Sequence, residues 1–234
     1  MTVDPKLAIE VAKVVAKEVY GDAFAPAARE IGTALGDLAR TMRVAGLDFG
    51  AITRERVERL FERALSKVPP QRRIAPQSDI LGPILEGVRY REEGTPIEEA
   101  FRRLLSRATD VERVGEAHPS FPGIINRISP DEAHMLVKLS EEPFILEGNM
   151  IEGVVRRICL DEGQLIKEVQ YLENMLLYIN NLQSCGLINV AQGAIPAERQ
   201  AELFRTDRWD GRMCLGVSLT PLGDGFVGAC LRDC

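Results

Sequence analysis

Histidine is nearly missing from this chain of 234 residues: His118 and His134 are the only two. Two imidazoles leave little for general acid–base chemistry or for a histidine-rich metal site. No His-Glu-x-x-His run occurs, which excludes a zinc protease of that type. Tryptophan appears once, at Trp209, and aromatic residues make up only 6%. No stretch approaches the roughly 18 uninterrupted apolar residues of a membrane span. The first residues carry Asp4, Lys6, Glu10 and Lys13, so they do not read as a signal peptide. Gly223-x-Gly225-x-x-Gly228 has the glycine spacing of a dinucleotide fingerprint, but it comes after a segment that reads as part of a wing and is not taken as a cofactor site. The cysteines Cys159, Cys185, Cys214, Cys230 and Cys234 are odd in number and show no Cys-x-x-Cys pair. Reduced thiols in a cytoplasmic protein are expected, with no metal, cofactor or catalytic set.

What is present is an ordinary globular composition, 45% hydrophobic and 27% charged. Helix-start signals recur along it. Asp4-Pro5 opens a helix to about Tyr20, and a second comes after Pro26, with Gly32 and Gly36 one turn apart. Thr53 opens a third, in which Val57, Leu60, Phe61, Ala64, Leu65 and Val68 share one face. A fourth is expected from Asp79 to Glu92. Thr95-Pro96-Ile97-Glu98 and Ser129-Pro130-Asp131-Glu132 are both capping boxes with proline at the first helical position. The longest helix is expected from about Glu162 to Ser184, then a strand at Leu187–Val190 and another at Cys214–Leu219. Thr220-Pro221 caps a last helix. The order helix, strand, long tip, strand, helix is that of a winged helix. The fold class expected is therefore mainly α: a helical bundle over residues 1–128, then a winged-helix-like α+β unit with a short β-hairpin over residues 129–234.

His118-Pro119-Ser120-Phe121-Pro122-Gly123-Ile124-Ile125, with Ser129-Pro130-Asp131-Glu132-Ala133 after it, resembles the central motif of the Abi-alpha family. Tyr20-Gly21-Asp22, the segment Pro76 to Tyr90, Phe101-Arg102-Arg103-Leu104-Leu105, Gly186-Leu187-Ile188 and Leu219-Thr220-Pro221-Leu222-Gly223 are similar to its other blocks. The resemblance implies a bacterial protein associated with abortive infection, that is, phage resistance. It transfers no catalytic residue.

Charge separates the readings that remain. The formal net charge is −6. Residues 51–73 hold seven Lys/Arg against three Glu, a local +4, while residues 131–234 hold nine against sixteen Asp/Glu, a local −7. A winged helix that acidic fits a protein partner better than a phosphate backbone. The interaction candidates are His118, Ser120 and Phe121 in the Pro/Gly-rich loop, Arg56, Arg59 and Arg63 on the third helix, and Arg208, Trp209 and Arg212 near the wing. For His118 and Ser120 the plain alternative is that they tie down a turn while Phe121 anchors it in the core. The function expected is antiphage defence through a protein partner rather than catalysis, with self-association left open. The alternatives are a winged-helix DNA-binding regulator and a membrane-surface toxin acting through the N-terminal amphipathic helices. Neither nucleic-acid binding nor integral membrane insertion is expected.

Overall fold

The structure, a computed structural model, describes residues 54–141, 143–151, 154–160, 169–192 and 212–232. The helices expected before residue 54, Thr53, Arg208 and Trp209 lie outside the described residues. The described chain is mainly helical and divides into two compact units. One holds the described residues up to Asn126 and takes up the chain again from Gly228, and the other holds Arg127–Val227.

The first unit is helical. It contains α1 (Arg54–Leu65), α2 (Ser78–Val88) and α3 (Pro96–Ala108), with α4 (Phe121–Arg127) at its end, all but its last residue in this unit. The apolar stripe of α1 is buried as its spacing requires: Val57, Phe61 and Ala64 are fully buried and Leu60 and Leu65 nearly so, and Val68, just beyond the helix, is nearly buried too. α3 adds Ala100, Phe101, Leu104 and Leu105, all fully buried. Thr95 caps α3, its hydroxyl accepting from the Glu98 N–H at 3.4 Å. The Glu98 carboxylate reaches back to the Gly94 N–H at 3.0 Å, one residue earlier than the standard box. α2 and α3 approach closely because residue 87 is glycine, where a Cβ would lie 2.2 Å from Phe101 Cζ.

The second unit is α+β. α5 (Pro130–Glu141) starts from the Ser129 capping box, with Glu132 N–H donating to Ser129 Oγ at 3.3 Å and Ser129 N–H to Glu132 Oε2 at 2.7 Å. Ala133 and Leu136 are buried as expected, and Met135 and Leu139 join them, while Val137 is half-buried. Then come β1 (Phe144–Ile151), β2 (Val154–Leu160), α6 (Met175–Ser184), β3 (Ile188–Gln192) and β4 (Arg212–Leu219). The four strands form one antiparallel sheet in the order β2-β1-β4-β3. Leu146 pairs with Leu160 on one side and Leu215 on the other, and Val190 pairs with Val217. A bulge between Asn149 and Met150 shifts the β1–β2 register. β3 and β4 are the two strands expected from sequence. The β1–β2 hairpin is additional.

Two local expectations change. The helix expected over Glu162–Ser184 begins at Met175, and Glu162, Lys167 and Glu168 lie outside the described residues. The N–H groups of Gln170 and Tyr171 donate to the Asp131 carboxylate, each at 3.0 Å, so they are spent on α5 instead of on helical carbonyls four residues back. A 3₁₀ turn at Leu172–Asn174 then leads into α6. The chain closes on α7 (Pro221–Phe226), which continues as a π turn over Val227–Leu231. Thr220 caps α7 by accepting the Gly223 N–H at 2.9 Å. Gly223 is glycine because a Cβ there would lie 2.0 Å from the Leu187 carbonyl oxygen, which assigns it to close packing.

Candidate functional site

In the first unit the Pro/Gly-rich loop places His118 and Ser120 on the surface and buries Phe121. The Ser120 N–H donates to His118 Nδ1 at 3.2 Å, and the Ser120 hydroxyl lies 2.8 Å from the same nitrogen. Nδ1 is thus the acceptor that starts α4. The imidazole also lies against Phe121, with ring centroids 5.6 Å apart. His118 joins no group of three or more His, Cys, Asp or Glu residues of metal-binding type, and no such group occurs among the described residues.

The basic face of α1 meets acids from its own unit. Arg59 makes a fork on Glu93, with Nη2–Oε1 at 2.7 Å and Nε–Oε2 at 3.2 Å. Arg63 reaches Glu98 at 3.2 Å and Glu99 at 3.0 Å. Arg56 donates to the carbonyls of Arg89 and Arg91. These bonds arise because α3 presents Glu98 and Glu99 in its first turn, where the helix dipole favours carboxylates. The Arg102 guanidinium lowers the Glu99 carboxyl from its ordinary value, working against the burial that raises it, and Arg103 and Arg63 add to the effect. Glu93 is likewise lowered, by Arg59 first. The local +4 of residues 51–73 is therefore matched in large part inside the fold. Arg72 belongs to the same run and pairs with Asp110 and, at 2.7 Å, with Glu112.

In the second unit two buried carboxylates in the first turn of α5 hold later segments of that unit in place. Asp131 accepts from the Gln170 and Tyr171 N–H groups and, at 2.9 Å, from the Tyr178 hydroxyl on α6. Burial alone would push the Asp131 carboxyl up. The two backbone donors, the Tyr178 hydroxyl and the nearby His134 outweigh it and leave the carboxyl below its ordinary value. Glu132 accepts from Asn181 Nδ2 at 2.8 Å, and the same amide donates to the Arg127 carbonyl at 2.9 Å. α6 is thereby pinned on its inner side, where Met175, Tyr178, Ile179 and Leu182 are buried.

The outer side of α6 carries Glu173 just before it, then Leu177, Asn180, Gln183 and Ser184, all exposed. Leu177 is 63% exposed, and Tyr171 and Leu172 are exposed just upstream. Arg127 reaches the C-terminal end of this side through Ser184 Oγ at 2.9 Å. Sequence alone did not single out this surface, because it predicts one helix running through the segment from about Glu162 to Ser184. Nor did it single out the buried acids' long-range partners. Asp131 and Glu132 read as capping residues, which describes only part of what Glu132 does, since it also accepts from Asn181, and leaves out the three donors that Asp131 holds. Arg212 begins β4 and is not brought together with the other candidates by any described contact.

These features define a class: a mainly helical protein with an antiparallel sheet in its second unit and arginine-rich helices neutralised from within. The chain belongs to the abortive infection alpha family, whose sequence profile matches residues 51–230. That membership supports an abortive-infection-associated role. Comparison with curated proteins and with solved structures gave no match.

Proposed function

We propose that the protein acts in antiphage defence by docking a protein partner, without a catalytic step of its own. The observation that carries this reading is the outer side of α6. Leu177 stands exposed among Glu173, Asn180, Gln183 and Ser184, and Tyr171 and Leu172 extend the apolar surface. Exposed aliphatic and aromatic groups within a polar rim whose one charged member is Glu173 suit a protein interface. The α6 positions on that side hold no lysine or arginine, which suits phosphate poorly. The internal pairing of Arg59 and Arg63 adds support, since those forks are engaged by Glu93, Glu98 and Glu99. His118 and Ser120 serve the start of α4 in this reading. We place the action in the cytoplasm, where free buried thiols such as Cys185 and Cys230 stay reduced.

The test is phage challenge of cells that express the chain. Leu177→Asp should abolish plaque reduction at unchanged protein abundance, and His118→Ala should retain it. The reading fails if Leu177→Asp protects fully. It also fails if purified protein hydrolyses nucleic acid or nucleotide and His118→Ala removes both that activity and protection.

One arrangement favours a DNA-binding alternative: α6 leads directly into the antiparallel pair β3–β4, as a recognition helix leads into a wing. Retardation of duplex DNA at about 150 mM salt, weakened by changing Arg208 and Arg212, would replace the protein-docking reading. The membrane alternative rests on helices outside the described residues. Among the described residues no helix is long and apolar enough to cross a membrane, and vesicle leakage tests surface action.

A further inference from the structure

The last helical segment is built from a sequence that does not favour a helix. Gly223, Gly225 and Gly228 all fall within Pro221–Leu231, and glycine weakens a helix interior relative to alanine. Gly223 has a steric reason, its approach to the Leu187 carbonyl. Gly225 and Gly228 have none, since a Cβ at either would meet nothing within 4 Å. The backbone changes character at the same place, from α-helix over Pro221–Phe226 to a π turn over Val227–Leu231. Such wide turns are rare and concentrate at functional positions. The chain also passes from the second unit to the first between Val227 and Gly228.

Within the first unit the turn is held by α3. Arg103 Nη1 donates to the Leu231 carbonyl at 2.5 Å, and Arg107 Nη2 donates to the Gly228 carbonyl at 3.1 Å. Carbonyls in the last turn of a helix lack intrahelical donors. Two guanidinium groups one turn apart on α3 supply them. Ala229, Cys230 and Leu231 are buried there. Burial pushes the Cys230 thiol well up, partly opposed by Arg103, so the docked thiol is a poor nucleophile.

We propose that Gly228–Leu231 is a latch, a helical turn that docks on α3 through Arg103 and Arg107 and releases about a hinge at Gly225–Gly228, uncovering Cys230. The two glycines without steric need loosen the docked form, and the two arginines tighten it. The latch is independent of which partner the α6 surface takes.

The test is alkylation of the full chain by iodoacetamide in sub-denaturing urea, resolved by peptide mass mapping, beside global unfolding monitored by circular dichroism. Cys230 should react through an opening with a much shallower urea dependence than global unfolding. Gly228→Ala should slow its alkylation about fivefold, and Arg107→Met should speed it roughly tenfold. The latch is overturned if Cys230 alkylation tracks the urea dependence of global unfolding, or if Gly228→Ala leaves its rate unchanged. Should Arg107→Met fail to fold, Gly228→Ala decides alone, because it adds one methyl group into open space.

Discussion

Two glycines on α2 make a matched experiment. Gly82 and Gly87 sit in the same helix, five residues apart, and neither has a positive φ. Alanine at either position gains about 1 kcal/mol of helix propensity. At Gly82 the new Cβ meets nothing within 4 Å beyond its chain neighbours, but Pro83 follows it and disfavours the helical region for a residue that carries a Cβ, so Gly82→Ala should gain less than that amount. At Gly87 the Cβ would lie 2.2, 2.7 and 2.8 Å from Phe101 Cζ, Cε1 and Cε2. Carbon atoms prefer about 3.5–4.0 Å, so the ring would have to move by more than 1 Å. Phe101 is fully buried, as are Ala100 and Leu104 beside it on α3. Overpacking of this kind costs about 1–3 kcal/mol. Subtracting one variant from the other removes the part of the helix term that the two share and leaves the clash, reduced by what Pro83 costs an alanine at residue 82. Gly87→Ala should therefore lie about 1–3 kcal/mol below Gly82→Ala, measured as urea midpoints at constant slope with far-UV circular dichroism. Adding Phe101→Leu should make Gly87→Ala less costly than it is in the wild-type background. Equal stability of the two alanine variants would refute the packing argument.

Other predictions rest on the second unit and on the buried acids. Gly223→Ala should destabilise by about 3 kcal/mol or more, because the atom it meets is the Leu187 backbone oxygen and no rotamer relieves it; a near-neutral urea midpoint would contradict this. Asp131→Ala should cost about 2–4 kcal/mol, since it strands the Gln170 and Tyr171 N–H groups and the Tyr178 hydroxyl. Asp110, held low chiefly by its Arg72 hydrogen bond, and Asp131 both titrate below the ordinary 3.8 when folded. The unfolded chain then binds protons first as pH falls, so their stabilisation is full above that value and is lost as pH drops through the folded values. Asp131→Asn should flatten this acid limb in urea midpoints taken from pH 7 to 2, and an unchanged limb would exclude Asp131 as a contributor.

The capping boxes at Thr95 and Ser129, the Thr220 cap and the buried stripe of α1 were legible in the sequence. All depend on residues within four or so positions of one another, where helix geometry alone fixes which groups meet. The β1–β2 hairpin was not, although Phe144, Ile145, Ile151, Val154, Val155 and Ile158 carry β-forming side chains. Its two strands gain their place by pairing, β1 lying against β4, more than sixty residues further along. The early start expected for α6 failed for a related reason. The leucine spacing before Met175 suits a helix, but the Asp131 carboxylate, about forty positions away, takes two of its N–H donors.

The sequence by itself determined where most helices begin, which faces they bury, that the chain is mainly α, and, through the His118–Ala133 motif, the family. The tertiary structure alone decided what the charges do. A local count of +4 cannot say that Arg59 lies on Glu93 or Arg63 on Glu98, because an ion pair 34 or 35 positions apart is set by how helices pack and not by their periodicity. The same holds for Arg103 and Arg107, which find carbonyl partners more than a hundred residues away. Backbone geometry is local and can be read along the chain, whereas the partner of a long side chain is fixed only once distant elements are brought together.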